Sequence, residues 1–162
     1  MQQTPQTISY SEGFPVSVLM EYPLEIDDEQ DQGEVIGLVA GAAPEQSGQS
    51  ALVHTGERSE QYLWRGFRLP LYRDDAESYY MNLMGEQPRV FVLCRGRSGR
   101  LRPFHVTLSY DEAASYTEVD EPVFSLPMPP EVYRWLEGYV LEHYVPERKK
   151  KRKRDDWKQA RR

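Results

Sequence analysis

Residues 89–95 (RVFVLCR) and residues 101–110 (LRPFHVTLSY) flank the tetrapeptide Gly96-Arg97-Ser98-Gly99. Two runs rich in β-branched and aromatic residues around a short loop with glycine at both ends are typical of a β-hairpin. This is the clearest hairpin signal in the chain. It predicts two antiparallel strands and makes a sheet the centre of the domain.

Further strands are predicted on the N-terminal side of this hairpin. They cover residues 14–22 (FPVSVLMEY), 34–40 (EVIGLVA), 51–54, 61–65 and 67–72. Val16, Val18 and Met20 alternate onto one face of the first strand, and the second is so apolar that we expect burial on both faces. Gly66 indicates a bulge or tight bend between the last two strands, and Pro70 indicates that the last lies at a sheet edge.

Helices are predicted in the second half of the chain. Asp74 is expected to cap a helix ending at Met81 or Leu83, and a short helix starts at Ser109 or Asp111. Residues 122–130 (PVFSLPMPP) predict a stiff extended connector. A final helix is predicted over residues 130–144 from an apolar stripe at helical spacing: Val132, Trp135, Leu136, Tyr139, Val140 and Tyr144.

The pattern contains no alternation of strand and helix typical of a parallel sheet, and no internal repeat. We therefore predict an α+β fold, with a largely antiparallel sheet of about six or seven short strands and a C-terminal amphipathic helix packed on it. The expected organisation is a disordered N-terminus (residues 1–13), one domain (residues 14–145) and a flexible basic tail (residues 146–162).

Composition excludes several classes of protein. The chain has 162 residues and one cysteine, so an internal disulfide and a cysteine-based zinc site are excluded. No apolar run approaches the roughly 18 residues of a membrane span, and residues 1–13 lack the features of a secretory signal. A cytoplasmic location is the expectation.

The charge is segregated along the chain. Residues 1–145 hold ten arginines and 23 acids, a net charge of −13, whereas residues 146–162 hold ten basic and three acidic residues, a net charge of +7. Lys149, Lys150 and Lys151 are candidate interaction residues, because a flexible cationic tail speeds encounter with an acidic partner. The same run, with Trp157, is compatible with nucleic-acid binding, although the acidic body would repel a nucleic acid.

No catalytic, cofactor or metal site is predicted. Phosphate-loop, dinucleotide-binding, nucleophile-elbow and zinc-protease motifs are absent from the sequence. The acidic stretch at residues 27–33 lacks the glycine position of a calcium loop, and Leu38 occupies the position of its bidentate carboxylate. His54, His105 and His143 are too far apart for a local metal pair, and Cys94 is expected to be a small buried apolar residue.

The densest cluster of polar and aromatic side chains lies around the predicted first helix. Its candidate interaction residues are Arg73, Asp74, Tyr79, Tyr80 and Asn82. Tyrosine and arginine are favoured at interface hot spots, which suggests a recognition surface. The alternative is structural, with Asp74 and Asp75 as a cap and the tyrosines as a core stripe.

Four segments, in order, resemble an uncharacterised bacterial domain family whose genes neighbour those of formate dehydrogenase subunits. They are residues 15–24 (PVSVLMEYPL), 68–95 (RLPLYRDDAESYYMNLMGEQPRVFVLCR), 103–116 (PFHVTLSYDEAASY) and 126–154 (LPMPPEVYRWLEGYVLEHYVPERKKKRKR). Members often carry the label molybdopterin-guanine dinucleotide biosynthesis protein A. Residues 25–33 depart from the family, because they are acidic where members are rich in arginine and tryptophan.

The resemblance implies a non-enzymatic accessory protein that binds a formate dehydrogenase subunit or a maturation factor of this molybdenum or tungsten enzyme. One alternative is an enzyme of molybdopterin guanine dinucleotide synthesis. It is disfavoured because LVAG at residues 38–41 is followed by no arginine or lysine before Arg58. The other alternative is a nucleic-acid binder that uses the basic tail.

Overall fold

The computed structural model describes residues 8–25, 32–41, 49–96 and 100–146. It confirms the α+β class and the antiparallel pairing of the strands, and it distributes the strands over two sheets. The elements follow one another as β1 (Phe14–Pro23), β2 (Glu34–Ala40), β3 (Ser50–Thr55), β4 (Ser59–Leu69), α1 (Ala76–Met84), β5 (Arg89–Arg95), β6 (Arg102–Thr107), α2 (Tyr110–Thr117), β7 (Val123–Pro127) and α3 (Pro130–His143).

The first sheet has the strand order β2-β1-β4-β3, and the second has the order β6-β5-β7. β4 lies beside β6 and β2 lies beside β7, so the two sheets share a main core. The predicted hairpin is β5 with β6, in which Val92 pairs with Val106. As predicted, Val16, Val18 and Met20 of β1 all point into this core.

The prediction that residues 34–40 are buried on both faces is wrong. Only Val35 is buried in β2, and Val39 is exposed. The reason is topological, because β2 is the edge strand of its sheet and pairs only with β1. An apolar run by itself does not distinguish an edge strand from a central one.

Residues 61–65 and 67–72 were predicted as separate strands, but β4 is continuous from Ser59 to Leu69. The predicted bulge at Gly66 is present. Val18 pairs with Trp64 and Val16 with Phe67, so β4 carries one more residue than β1 at this point. Gly66 has φ +87°, a backbone conformation that favours glycine.

The prediction that Asp74 caps α1 is wrong. Asp74 lies in a 3-10 turn, Arg73–Asp75, and the residue before the helix is Asp75, whose side chain makes no capping hydrogen bond. The α2 prediction is confirmed, since Ser109 is its N-cap and its hydroxyl accepts a hydrogen bond from the Glu112 amide at 3.2 Å.

The predicted connector at residues 122–130 contains a strand. Val123–Pro127 forms β7 and pairs antiparallel with β5, with Phe124 opposite Val92. Proline-rich extended backbone is compatible with this position, because β7 lies at a sheet edge, where a missing N–H is tolerated.

The final helix is confirmed as Pro130–His143, with the predicted proline in its first turn. Five of the six stripe residues are buried: Val132, Trp135, Leu136, Tyr139 and Val140. The helix packs on β1 and α1, with the Trp135 ring 5.4 Å from Phe14 and the Tyr139 ring 6.1 Å from Tyr79, centroid to centroid.

Residues 8–10 belong to the N-terminal segment that was predicted to be disordered, and they contact α3. The indole N–H of Trp135 donates to the Ile8 carbonyl at 3.0 Å. The Tyr10 ring lies 5.6 Å from Trp135 and 5.3 Å from Tyr139. The polar sequence has no periodicity, but these three contacts attach residues 8–10 to α3.

Candidate functional site

The predicted interaction residues divide between surface and interior. Arg73 and Asp74 are exposed in the turn before α1. Tyr79 is only 1% exposed, and its hydroxyl accepts a hydrogen bond from the Tyr72 amide at 3.1 Å. Burial raises the pKa of Tyr79 well above its ordinary value, and the ring is part of the core. It is therefore not positioned to contact a partner.

Tyr80 is half-buried at the junction of α1 and α3. Its ring stacks on that of Tyr144, with centroids 4.6 Å apart and an interplanar angle of 24°. This contact holds the end of α3 on α1, at the point where the chain continues toward the basic tail. Lys149, Lys150 and Lys151 lie outside the described residues.

Asn82 joins three elements through its side-chain amide. Its Nδ2 donates to the carbonyls of Arg89 at 2.8 Å and Leu108 at 2.9 Å, and its Oδ1 accepts from the Arg89 amide at 2.9 Å. Asn82 therefore ties α1 to the start of β5 and to the residue that follows β6. These hydrogen bonds hold Asn82 in one wall of the groove described next.

A groove of about 710 Å³ lies between α1 and the start of α2, over the outer face of β5 and β7. Its lining residues are Glu77, Ser78, Met81, Asn82, Gly85, Gln87, Arg89, Phe91, Tyr110, Asp111 and Ser125. We call this surface the α1–α2 groove. Its volume is in the range of pockets that bind ligands or peptide segments.

The groove exists because α2 covers only part of the second sheet. Phe91 and Leu93 point away from the main core, and Ala113 of α2 packs against them. The helix has eight residues and is therefore about 12 Å long. The sheet surface beyond its N-terminus stays open.

Tyr110, the first residue of α2, stands at this opening. It is 62% exposed, and its ring meets Phe91 edge-on at a centroid distance of 6.0 Å. A second depression of about 380 Å³ lies on the other side of this ring pair and includes Ala114, Thr117 and Val123. The two depressions share Phe91, Tyr110 and Ser125, so they form one surface track across the sheet.

Exposed apolar side chains surround the groove. Met81 is 63% exposed, and Met84 projects into solvent one helical turn further along α1. Methionine side chains are flexible and adapt to varied surfaces, and exposed aromatic and methionine residues are enriched at protein interfaces. The apolar content of the groove therefore fits a protein segment.

The rim of the groove is predominantly acidic. Glu77 and Asp111 line the first depression and Glu118 the second, whereas the one cationic lining residue in the described part of the chain, Arg89, donates to Gln87 Oε1 at 2.9 Å. The pKa of the neighbouring Asp75 reflects burial and the negative charge gathered at this rim. Its pKa is raised first by burial and then by the carboxylates of Glu112, Asp74 and Asp111.

His105 and Glu112 form a hydrogen-bonded pair on the other side of α2. His105 Nε2 lies 2.7 Å from Glu112 Oε1, and the Thr107 hydroxyl donates to Glu112 Oε2 at 2.9 Å. These bonds, led by the His105 contact, lower the pKa of Glu112. Both carboxylate oxygens are occupied, so the pair anchors the first turn of α2 to β6.

Cys94 is fully buried, as predicted, and burial raises the pKa of its thiol to about 12. The neutral thiol is a packing group and not a nucleophile. Within the residues that the structure describes, no cluster of three or more His, Cys, Asp or Glu side chains is arranged to hold a metal ion. None of the described helices has the length and apolar character needed to cross a membrane.

The fold and groove define an α+β domain of two antiparallel sheets, with an open apolar surface on the smaller sheet. The chain belongs to the family described as protein of unknown function (DUF3305), whose family model matches residues 15–153. No curated protein and no solved structure matches the chain.

Proposed function

We propose that this chain is a non-enzymatic accessory protein of the cytoplasm that binds another protein through the α1–α2 groove. The observation that carries the proposal is the exposed Met81 and Tyr110 around a floor formed by Phe91. Apolar residues grouped around a concave surface with a polar rim are the usual anatomy of a protein-binding site.

The charge of the groove limits the kind of segment that fits. Glu77 and Asp111 favour a segment that carries a basic residue beside its apolar side chains. Met81 would pack against the aliphatic part of such a segment. The open sheet surface on both sides of Tyr110 would accept an extended chain or a short helix.

The partner that we propose is a formate dehydrogenase subunit or one of its maturation factors. This part of the proposal is supported by the sequence resemblance to a family encoded beside formate dehydrogenase genes. The groove supplies the binding surface, and the accessory role requires no catalytic group.

The test is affinity purification of the tagged full-length chain from its source cells grown on formate, with quantitative mass spectrometry of the co-purifying proteins. Wild type is compared with Met81→Glu, which introduces a charge into the groove. The matched control is Leu141→Glu, because Leu141 is 79% exposed on α3 and does not line the groove.

We expect wild type and Leu141→Glu to recover a formate dehydrogenase subunit or maturation factor, and Met81→Glu to lose most of it. Equal recovery by all three proteins would exclude the groove as the binding surface. If wild type recovers no formate dehydrogenase subunit and no maturation factor, the proposed link to formate dehydrogenase is contradicted. Circular dichroism of each variant verifies that the fold is retained.

A further inference from the structure

Another cavity, separate from both depressions beside Tyr110, lies where β6 approaches the first sheet. It has a volume of about 220 Å³ and is lined by Tyr22, Ser50, Tyr62, Trp64, Arg100 and Arg102. It shares no lining residue with the groove. Two arginines in one small cavity are notable in a body whose residues 1–145 carry a net charge of −13.

Arg100 is held by aromatic rings. Its guanidinium carbon lies 4.8 Å from the centroid of Tyr22 and 5.7 Å from that of Tyr62. A guanidinium over a ring face is stabilised by the ring electrons and keeps its N–H groups available at its edge.

Glu60 is the acidic neighbour of Arg100, but the two side chains do not form a close ion pair. Arg100 Nη1 lies 4.0 Å from Glu60 Oε2, which is longer than a charge-assisted hydrogen bond of about 2.7–2.9 Å. The same Glu60 oxygen already accepts from the Tyr62 hydroxyl at 2.9 Å. Arg102 has no ion pair within the described part of the chain.

The backbone between the two arginines is fixed. Tyr22 donates its hydroxyl hydrogen to the Leu101 carbonyl at 2.7 Å, and the Leu101 amide donates to the Gln32 carbonyl at 2.9 Å. Burial raises the pKa of Tyr22, while the Trp64 indole and the cations of Arg100 and Arg102 act in the opposite direction. Both arginines therefore place positive charge close to the Tyr22 hydroxyl.

Trp64 forms part of the wall of the cavity. Its indole Nε1 is buried and lies close enough to the Tyr22 hydroxyl to lower the pKa of that group, so the indole N–H is directed at Tyr22 and not at a ligand.

We propose that this cavity binds a small anion, a phosphate or a short carboxylate, through Arg100 and Arg102. The volume of about 220 Å³ accommodates a group the size of a phosphate or a short carboxylate between the two arginines. Planar guanidinium groups match the oxygens of phosphate and carboxylate groups.

The test is an NMR titration of the full-length protein that follows its tryptophan indole N–H signals. Sodium phosphate and sodium acetate are added separately, with sodium chloride keeping the ionic strength constant. The Trp64 signal is identified by sequential assignment. The Trp135 signal is the internal reference, because its N–H is already bonded to the Ile8 carbonyl.

We expect at least one of the two anions to shift the Trp64 signal saturably and to leave the Trp135 signal in place. Arg102→Gln should weaken that binding about tenfold or more, as for loss of a hydrogen bond from a charged group. Arg134→Gln is the matched control, because Arg134 is exposed on α3 and does not line the cavity.

Saturation by phosphate alone, by acetate alone or by both supports the site and identifies which oxyanion it prefers. A Trp64 signal that responds to neither anion would overturn the proposal. So would an affinity that Arg102→Gln leaves unchanged, or that Arg134→Gln lowers as much as Arg102→Gln does. The titration uses no protein partner, so its result is independent of the proposal that the α1–α2 groove binds another protein.

Discussion

The Tyr110 ring meets Phe91 edge-on at 6.0 Å and divides the open surface of the second sheet into two depressions. Phe91 is the floor of this surface and Tyr110 its exposed ridge. Edge-to-face aromatic pairs contribute about 0.5–1.5 kcal/mol beyond the area they bury, so the ridge is held in place before a partner arrives. This relationship is the basis for the docking proposal.

Removal of the Trp135 side chain should destabilise the domain strongly. Trp135 is 9% exposed, packs on Phe14 and Tyr10, and donates to the Ile8 carbonyl. Trp135→Ala should lower the free energy of unfolding by about 3–5 kcal/mol, the usual cost of emptying a buried tryptophan site. Urea denaturation measures this difference, and an unchanged midpoint would show that α3 is not docked through Trp135.

Asn82→Ala should cost about 1–3 kcal/mol of unfolding free energy, because it leaves the Leu108 carbonyl and the Arg89 amide without their partner. Gln87→Ala is the control. Gln87 is exposed beside the same turn, and its side chain bonds only the Arg89 guanidinium among the described contacts. Its effect should stay within about 0.5 kcal/mol. Thermal unfolding of both variants tests the prediction. Equal losses of stability would show that the hydrogen bonds of Asn82 do not stabilise the domain.

The stability of the domain should depend on the ionisation of Glu112. Its pKa is depressed below the ordinary value of 4.5, first by the hydrogen bond to His105 and also by Thr107, against the opposing effect of burial. A carboxyl with a depressed folded-state pKa stabilises the fold above its unfolded pKa, and this stabilisation is lost as the pH falls through the folded value.

Wild type should therefore lose more unfolding free energy than Glu112→Gln when the pH is lowered from 6 to 3, values we choose as roughly bracketing an ordinary glutamate pKa. Denaturant titrations at a series of pH values measure the difference between the two curves. Glu131→Gln, an exposed change on α3, controls for the loss of one acid. Parallel curves for wild type and Glu112→Gln would show that the His105 contact does not stabilise the ionised form.

Neutralising Lys149, Lys150 and Lys151 should slow association with the partner and flatten its salt dependence, with little change in dissociation. These residues lie outside the described part of the chain, and the prediction rests on the net charge of +7 in residues 146–162. Surface plasmon resonance on the purified partner separates the two rates. An unaltered association rate at low salt would show that the tail does not contribute to encounter.

Elements with strong local patterns could be predicted from the sequence. The β5–β6 hairpin, the Gly66 bulge, the Ser109 cap and the α3 stripe all follow from residues close together in the chain. The edge positions of β2 and β7 could not, because they depend on which strands pair.

The candidate site was less predictable than the fold. Tyr79 and Asn82 have interface-like chemistry, but the Tyr79 ring is buried in the core, and the Asn82 amide is bonded to the backbone of Arg89 and Leu108. Met81, between Tyr80 and Asn82 on α1, was missed because one exposed methionine in a helix carries no local signal. The packing of Tyr10 on α3 was missed for a similar reason, since its partners Trp135 and Tyr139 are more than a hundred residues away in the chain.

The most direct test of the docking surface is photo-crosslinking in cells grown on formate, with p-benzoylphenylalanine incorporated at position 110 or, as a control, at position 141. Both side chains are exposed, but only Tyr110 lines the α1–α2 groove. The account predicts a covalent adduct between position 110 and a formate dehydrogenase subunit or maturation factor, and no such adduct from position 141. The same adduct from both positions, or from position 141 alone, would contradict it.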